Sequence, residues 1–433
     1  MKVHLVGIGG IGVSALAKYY RAGGHTVSGS DAAPSEITAE LAHCGVGIVI
    51  GEHRAENVPA DVDRIIHTAA ILPENPELAA ARERNIPVHN YAEAIGELTR
   101  HQRTIAVSGS HGKSTTTALV ALVLEEGYFD PTVIIGTKLA EFGGTNFRQG
   151  KGPFLVLEAD EWNKSFLNYS PHAVVLTNID AEHLDTYGTV AGVEEAFREY
   201  LLKVPKDGFI VANADDERIR HITRDLPARI VWYAEKSQAA ETVKRTLKIS
   251  GRHNLANALA ALHVGRELGI SEPAILKALG SYHGAWRRFE LKGIKNGAYI
   301  FADYGHHPRE IAATLAGARE RFPSRRIWCV YQPHQYARLN HLWHDFLGAF
   351  DGADRVTLLP VYAVAGREGE GHPAHTSEKL AAALTARGRY TEYLPSFGMA
   401  HKYLSRDIRA GDVVLFMGAG TIYDLTNDFL AVA

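Results

Sequence analysis

Two turns of the same design constrain this chain more than any other feature. In each, a short apolar run ends in glycine and passes directly into a helix. The first run is VHLVGI (residues 3–8), which opens Gly7-Ile8-Gly9-Gly10-Ile11-Gly12 and leads into a helix over 13–22, with Ala15, Leu16 and Tyr19 at helical spacing. The second is TIAVS, followed by Gly109-Ser110-His111-Gly112-Lys113-Ser114 and a long helix within residues 104–126. A strand that turns through glycine into a helix builds a parallel sheet, and it leaves backbone N–H groups exposed at the positive end of the helix.

The rest of the chain repeats this alternation. HTVSGSD (25–31), GIVIG (47–51), RIIHTAA (64–70) and IPVHN (86–90) read as strands, with NPELAAARERN (75–85) as a helix. PTVIIG, FLVLEAD and AVVLTNID continue the second unit, and HNLANALAALHVGRELG (253–269) is a strongly periodic helix near its end. The mixed short runs of 205–250 leave room for antiparallel strands. A third unit starts at WRRFE (286–290) and holds AYIFADYG, RRIWCVYQPH, RVTLLPVY and DVVLFMGAG. The expected fold class is therefore α/β with three domains: a Rossmann-like domain over 1–100, a central P-loop ATPase-like domain with a mostly parallel sheet over 101–285, and a second Rossmann-like domain over 286–433.

Composition narrows the partners. With 46 Lys and Arg against 49 Asp and Glu, the formal charge is −3, so no global basic field attracts nucleic acid. Anionic ligands must be held by local features. Two cysteines, Cys44 and Cys329, in 433 residues cannot frame a disulfide scaffold, which points to a reducing compartment. The opening MKVHLVGIGGIG reads as a strand rather than a leader, and no apolar run is long enough to cross a bilayer. A cytoplasmic chain without membrane insertion is expected.

Six constellations carry chemistry. The loop from Gly109 to Ser114 suits phosphates, with Lys113 reaching the outer phosphates and the Ser114 hydroxyl available to Mg²⁺. It is a variant: Val107 stands where the general pattern places its first glycine. The Gly7–Gly9–Gly12 spacing, with Asp31 ending the next strand, fits a dinucleotide or, more widely, a diphosphate at a helix start. Glu158-Ala159-Asp160-Glu161 ends a buried-looking strand, and buried anions there call for a cation such as Mg²⁺ opposite the phosphate loop. His183, within Asn178-Ile179-Asp180-Ala181-Glu182-His183-Leu184-Asp185, is a candidate ligand for a second metal. His253 and Asn257 lie four apart on one helix face and could read a base edge, although Asn254 as a helix cap is the plainer use of that segment. In the third unit, Arg287-Arg288-Phe289, Asp303-Tyr304-Gly305-His306-His307-Pro308 and Gln332-Pro333-His334-Gln335-Tyr336-Ala337-Arg338 offer guanidinium forks and imidazoles. Their spacing fits no zinc pattern well.

Read together, VGIGGIG, VSGSD, NPE at 75–77, GSHGKSTTT, EADE, TNIDAEHLDTY, GRHNLANALAA, RRFE, DYGHHP, QPHQYAR and FMGAGTI resemble the Mur ligase family, the ATP-dependent amide ligases of peptidoglycan precursor synthesis. The resemblance spans nearly the whole chain and is strongest to the alanine-adding branch. It implies that ATP and Mg²⁺ (or Mn²⁺) serve a ligation of L-alanine to UDP-N-acetylmuramate by a monomer or homodimer. Gly9, Gly10, Ile11, Gly12, Ser30 and Asp31 would hold the UDP-sugar. Gly109, Ser110, His111, Gly112, Lys113, Ser114 and Thr115 would hold the phosphates of ATP. His253 and Asn257 would contact adenine, and Arg288 and Asp303 would reach phosphate and ribose. Ser114, Glu158 and His183 would bind metal, with Lys113, Glu158 and His183 catalytic. Tyr304, His306, His334 and Arg338 would shape the amino-acid site, Arg338 gripping its carboxylate. Trp162, Asn163 and Lys164 follow Glu161 where the family form is EADESD, and Ala196-Phe197 stand where many members carry a carbamylated lysine that the alanine-adding branch lacks.

Three alternatives compete with this reading. A recycling ligase would attach a preformed peptide to the same sugar, or a related Mur-type ligase would use another carboxylate. An NAD-dependent oxidoreductase would use the first glycine loop and Asp31 but leave GSHGKS and EADE without a role. A non-catalytic nucleotide-binding descendant would account for the Trp162-Asn163-Lys164 departure.

Overall fold

A computed structural model describes residues 1–363 and 374–431, with Asp185 described by its backbone alone. The chain divides into two compact units. One comprises Met1–Lys248 and Leu255–Tyr282, the other Ile249–Asn254 and His283–Ala433.

The first unit carries two sheets. In the N-terminal one, β1 (Lys2–Val6), β2 (Thr26–Asp31), β3 (Gly47–Ile50), β4 (Arg64–His67) and β5 (Val88–Asn90) form an all-parallel sheet of order β3-β2-β1-β4-β5. Helices α1 (Ile11–Ala22), α2 (Glu36–His43), α3 (Pro76–Glu83) and α4 (Tyr91–Thr99) connect them. Strand β1 pairs with β2 on one side and β4 on the other, so the chain order reverses at β1, where the first glycine loop opens. Ligands of open α/β sheets occupy that crevice.

The second sheet has the order β12-β11-β10-β6-β9-β7-β8. Its strands are β6 (Arg103–Ser108), β7 (Thr132–Leu139), β8 (Thr145–Arg148), β9 (Phe154–Glu158), β10 (Ala173–Leu176), β11 (Phe209–Asn213) and β12 (Arg229–Tyr233), with helices α5 (Lys113–Glu126), α6 (Leu184–Tyr187), α7 (Val190–Leu201), α8 (Glu217–Ile222), α9 (Ala240–Thr246), α10 (Arg252–Glu267) and α11 (Glu272–Ser281). Strand β6 is buried on both faces from Thr104 to Ser108, and α5 is buried all round from Ser114 to Leu124. A helix without a polar stripe belongs in the middle of a layer, and here it carries the phosphate loop at its start. Only β8 runs antiparallel, against β7. The expectation of antiparallel strands in 205–250 is corrected: β11 and β12 extend the sheet in parallel, because the intervening α8 returns the chain to the same edge.

The expected division near residue 100 falls between α4 and β6, inside one compact unit. Polar contacts explain why the two sheets cohere. The Asn146 amide on β8 donates to Ile11 O at 2.6 Å and Ser14 Oγ at 2.9 Å in the first turns of α1. Lys18 donates to Thr145 Oγ1, Asn146 Oδ1 and Glu40, and buried Lys138 to Glu36 and Glu40. Apolar residues of both sheets, from Val3 to Ala228, form one core around these contacts.

The second unit is a six-stranded sheet of order β13-β14-β18-β15-β16-β17. The strands are β13 (Glu290–Lys295), β14 (Ala298–Asp303), β15 (Ile327–Tyr331), β16 (Arg355–Leu358), β17 (Thr391–Tyr393) and β18 (Val413–Met417), with helices α12 (Pro308–Arg321), α13 (Tyr336–His341), α14 (Trp343–Ala349), α15 (Ser377–Ala386), α16 (Phe397–Asp407) and α17 (Ile422–Ala431). Only β13 is antiparallel. Alternate residues face opposite cores: Ile327, Cys329 and Tyr331 meet α12, α14 and α15, whereas Trp328 and Val330 meet α16 and α17. Residues 249–254, expected within the central domain, belong to this unit; Ser250 O lies 3.5 Å from where a Cβ on Gly317 of α12 would stand. Among the described residues, no helix is long and apolar enough to cross a membrane.

Candidate functional site

The phosphate loop is shaped by glycine where the chain needs it. Gly109 has φ +128° and Gly112 φ +83°, the left-handed region closed to most residues. A Cβ on Gly109 would stand 2.2 Å from Thr177 Oγ1, and one on Gly112 2.5 Å from Asn257 Oδ1. The loop is therefore braced from outside. Ser110 N–H donates to Asn178 O at 3.0 Å and His111 N–H to Asn178 Oδ1 at 2.9 Å. The Asn178 amide and the Thr177 hydroxyl both return a bond to His111 O. Asp180 N–H donates to Ser110 Oγ at 2.8 Å, and Asp180 Oδ2 lies 3.1 Å from His111 Nε2.

Lys113 is the charged centre. Its ammonium donates to Gly109 O at 2.7 Å, Ser110 O at 3.2 Å and Glu161 Oε2 at 2.8 Å, with Asp160 4.0 Å away. Burial pushes its pKa down, but the carboxylates of Glu161, Asp160 and Glu158 outweigh that and hold it above the ordinary lysine value. The side chain is thus a fixed cation, folded over the loop.

Two carboxylates divide the remaining work. Glu158, ending β9, accepts from Ser114 Oγ at 2.9 Å and from Gly136 N–H at 2.8 Å. Glu161 is 1% exposed, and its Oε1 accepts no hydrogen bond although it is buried. His183 Nε2 stands 3.9 Å from that atom. A buried carboxylate oxygen without a donor is costly, and a divalent cation satisfies it. The donor set of Asp160, Glu161 and His183, with ligand atoms within 4.8 Å of one another, fits such an ion. Of the expected set, Ser114 and Glu158 touch, and His183, whose φ is +53°, lies with Asp160 and Glu161. The segment after Glu161 is also strained, with Asn163 at φ +51° and Lys164 at φ +55°, and the Tyr187 hydroxyl donates to Glu161 O to hold it. Thr115 follows Ser114 in the buried first turn of α5.

The first glycine loop is quieter. Gly9 N–H donates to Asp31 Oδ2 at 2.8 Å, and Gly7 and Ile8 N–H both donate to Ser30 O. Gly10 caps α1 and leaves Ile11 and Gly12 in its open first turn, where Gly12 passes Tyr91 at a Cβ distance of 3.0 Å. The Ser30 hydroxyl donates to Glu77 Oε2 at 2.7 Å. Glu77 is fully buried and also meets His4 at 3.0 Å, His53 at 2.7 Å and Asn57 at 3.0 Å. Burial alone would raise its carboxyl, but these partners hold it at about 2.

In the second unit, Tyr304, His306, His334 and Arg338 come together as expected from their motifs. Tyr304 and His306 rings are 5.4 Å apart and His306 and His334 5.7 Å. Arg338 Nη1 approaches His334 Nδ1 and O at 3.4 Å. Arg288 lies over the Tyr304 ring and 3.9 Å from Glu310. Asp303, expected to reach a ribose, is buried and uses both oxygens locally, accepting from Phe289 and Gly305 N–H at 2.8 Å each. His253 is exposed and belongs to this unit.

Sequence reasoning passed over Thr177, Asn178, Glu310 and Tyr187 as site residues. Asn178 stood inside a motif already singled out, and a polar residue at a strand end next to a glycine loop was the available signal.

Residues 2–103 match the Mur ligase family, catalytic domain; residues 107–265 the Mur ligase middle domain; and residues 287–420 the Mur ligase, glutamate ligase domain. The chain belongs to the Mur ligase family. It is 40% identical to UDP-N-acetylmuramate--L-alanine ligase of Desulfatibacillum aliphaticivorans, over 99% of this chain and 98% of that one. The crystal structure of UDP-N-acetylmuramate-alanine ligase MurC from Thermotoga maritima superposes with a TM-score of 0.83 at 30% identity, covering 99% and 98%. A murein peptide ligase from Psychrobacter arcticus shares the fold, at TM-score 0.73 and 22% identity over 99% and 98%.

Proposed function

We propose that this chain is an ATP-dependent ligase that joins L-alanine to the carboxylate of UDP-N-acetylmuramate through an acyl phosphate. The observation that carries this reading is identity of 40% across the full chain to a protein named for that reaction. The braced phosphate loop supports it, with Lys113 fixed as a cation and Glu158 on Ser114.

A carboxylate is a poor acyl donor, so the sugar carboxylate must first take the γ-phosphoryl group of ATP. Phosphoryl transfer asks mainly for positioning and neutralisation of charge. Loop N–H groups and Lys113 supply both: the ammonium is released from the loop carbonyls to the phosphate oxygens, while Glu161 keeps it oriented. Mg²⁺, held by Ser114 with Glu158 and by Glu161 with Asp160 and His183, would neutralise the phosphates when bound. The amine of L-alanine then attacks the acyl phosphate, an amide C–N bond forms, and phosphate leaves. The N-terminal glycine loop, with Gly9, Gly10, Ile11 and Gly12 at the start of α1, would take the diphosphate of the sugar nucleotide. Arg338 would bind the amino-acid carboxylate among Tyr304, His306 and His334. Asn257, which stands against Gly112, would border the nucleotide.

The test is phosphate release from ATP and Mg²⁺ with UDP-N-acetylmuramate, adding L-Ala, L-Ser, Gly or a tripeptide singly, with product mass measured. Release with L-Ala and a UDP-muramoyl-alanine mass is the expected outcome. Release with the tripeptide alone would transfer the chain to the peptide-recycling branch.

A further inference from the structure

The parallel strands of the second unit end side by side, in the order β14, β18, β15, β16, and residues that follow each of them pack together. Strand β14 supplies Tyr304 and His306, β18 the glycine turn at 418–420, and β15 His334. The fourth piece, from β16, is Tyr362, which no motif pointed to.

Tyr362 is held from two sides. Its N–H donates to Pro333 O at 2.8 Å and its carbonyl accepts from Gln335 N–H at 2.9 Å, so the backbone extends the β15–β16 pairing to His334 and Tyr362 themselves. Its ring stacks on His334 with centroids 5.5 Å apart and planes at 21°. On the other side it covers Gly420: a Cβ there would lie 2.6 Å from Tyr362 Cγ and 2.8 Å from Gln332 Oε1. Gln332 cannot withdraw freely, since its Oε1 accepts from Ile422 N–H at 3.0 Å. The ring is thus packed between His334 and Gly420, one imidazole away from the guanidinium of Arg338.

We propose that Tyr362 sets the size of the amino-acid side chain this ligase accepts. The inference rests on the amino-acid site proposed above. A carboxylate fixed at Arg338 beside His334 puts the amino-acid side chain within about a ring width of Tyr362, where a methyl group fits and a branched chain meets the wall. Shape exclusion of this kind is worth about 10- to 200-fold per added methylene.

The experiment measures kcat/KM for L-Ala, L-Ser and L-Val with the full-length enzyme, ATP, Mg²⁺ and UDP-N-acetylmuramate, with product mass recorded. Tyr362→Ala should raise the L-Val to L-Ala ratio by about tenfold or more, leaving KM for ATP and for the sugar nucleotide in place. Tyr362→Phe, which keeps the ring, should keep the wild-type ratio. An unchanged ratio in folded Tyr362→Ala overturns the proposal. Should Tyr362→Ala not fold, Gly420→Ala decides the matter: its Cβ must displace the ring, so the ratio shifts if Tyr362 is the wall and stays put if it is not. Wild-type protein that makes no UDP-muramoyl-alanine at all would refute the functional reading itself, separately from the role of Tyr362.

Discussion

The two glycine loops of the first unit begin alike and end differently. Both follow a buried strand, both turn through glycines and both open a helix with no side-chain cap. The N-terminal loop is self-contained: its N–H groups meet Ser30 O and Asp31, its own next strand, and it holds no lysine. The phosphate loop is braced by Thr177, Asn178 and Asp180 after β10, and it carries Lys113 among three acids. One loop spends its N–H groups on its own next strand. The other sets a lysine held by a buried acid beside its N–H groups.

The deepest break should come from Lys113→Met, which is expected to lower the rate of phosphate release by about 10³-fold while circular dichroism stays native. Gly112→Ala comes next. It must adopt φ +83° and meet Asn257 at 2.5 Å, so KM for ATP should rise by about tenfold or more, as read by nucleotide titration.

Glu77, beneath the N-terminal loop, tests stability rather than catalysis. Its folded carboxyl lies at about 2 against an ordinary 4.5, so the stabilisation is full above pH 4.5 and is lost as pH falls toward 2. Acid titration of thermal stability should therefore show a slope across that window in wild type and a shallower one in Glu77→Gln. Equal slopes would remove Glu77 from the account.

The mildest effect should be Asp31→Asn, raising KM for UDP-N-acetylmuramate by about threefold through one weakened hydrogen bond with kcat nearly unchanged. A fall in kcat as deep as that of Lys113→Met would erase the distinction between the loops.

Much of this was legible from residue order. The glycine loops, the three sheets and the EADE strand end follow from local rules: apolar runs make buried strands, glycine permits the turn, and parallel strands deliver their ends to one edge; the grouping of Tyr304, His306, His334 and Arg338 came from the family resemblance. What escaped depended on contacts distant in sequence. The Ser30 hydroxyl meets Glu77, 47 residues on; Lys113 is oriented by Glu161, 48 residues on; and His183 lies with Asp160 and Glu161. The parallel course of β11 and β12 likewise depended on where α8 returned the chain.

The sequence by itself determined the α/β class, the position of both glycine turns at helix starts and the family. Those are set by spacing along a few consecutive residues, and backbone stereochemistry reads them directly. The tertiary structure alone decided which carboxylate holds Lys113, which oxygen is left for a cation, and that Tyr362 stands against His334. Such pairings depend on which strand lies beside which, and that is fixed by burial of the shared core.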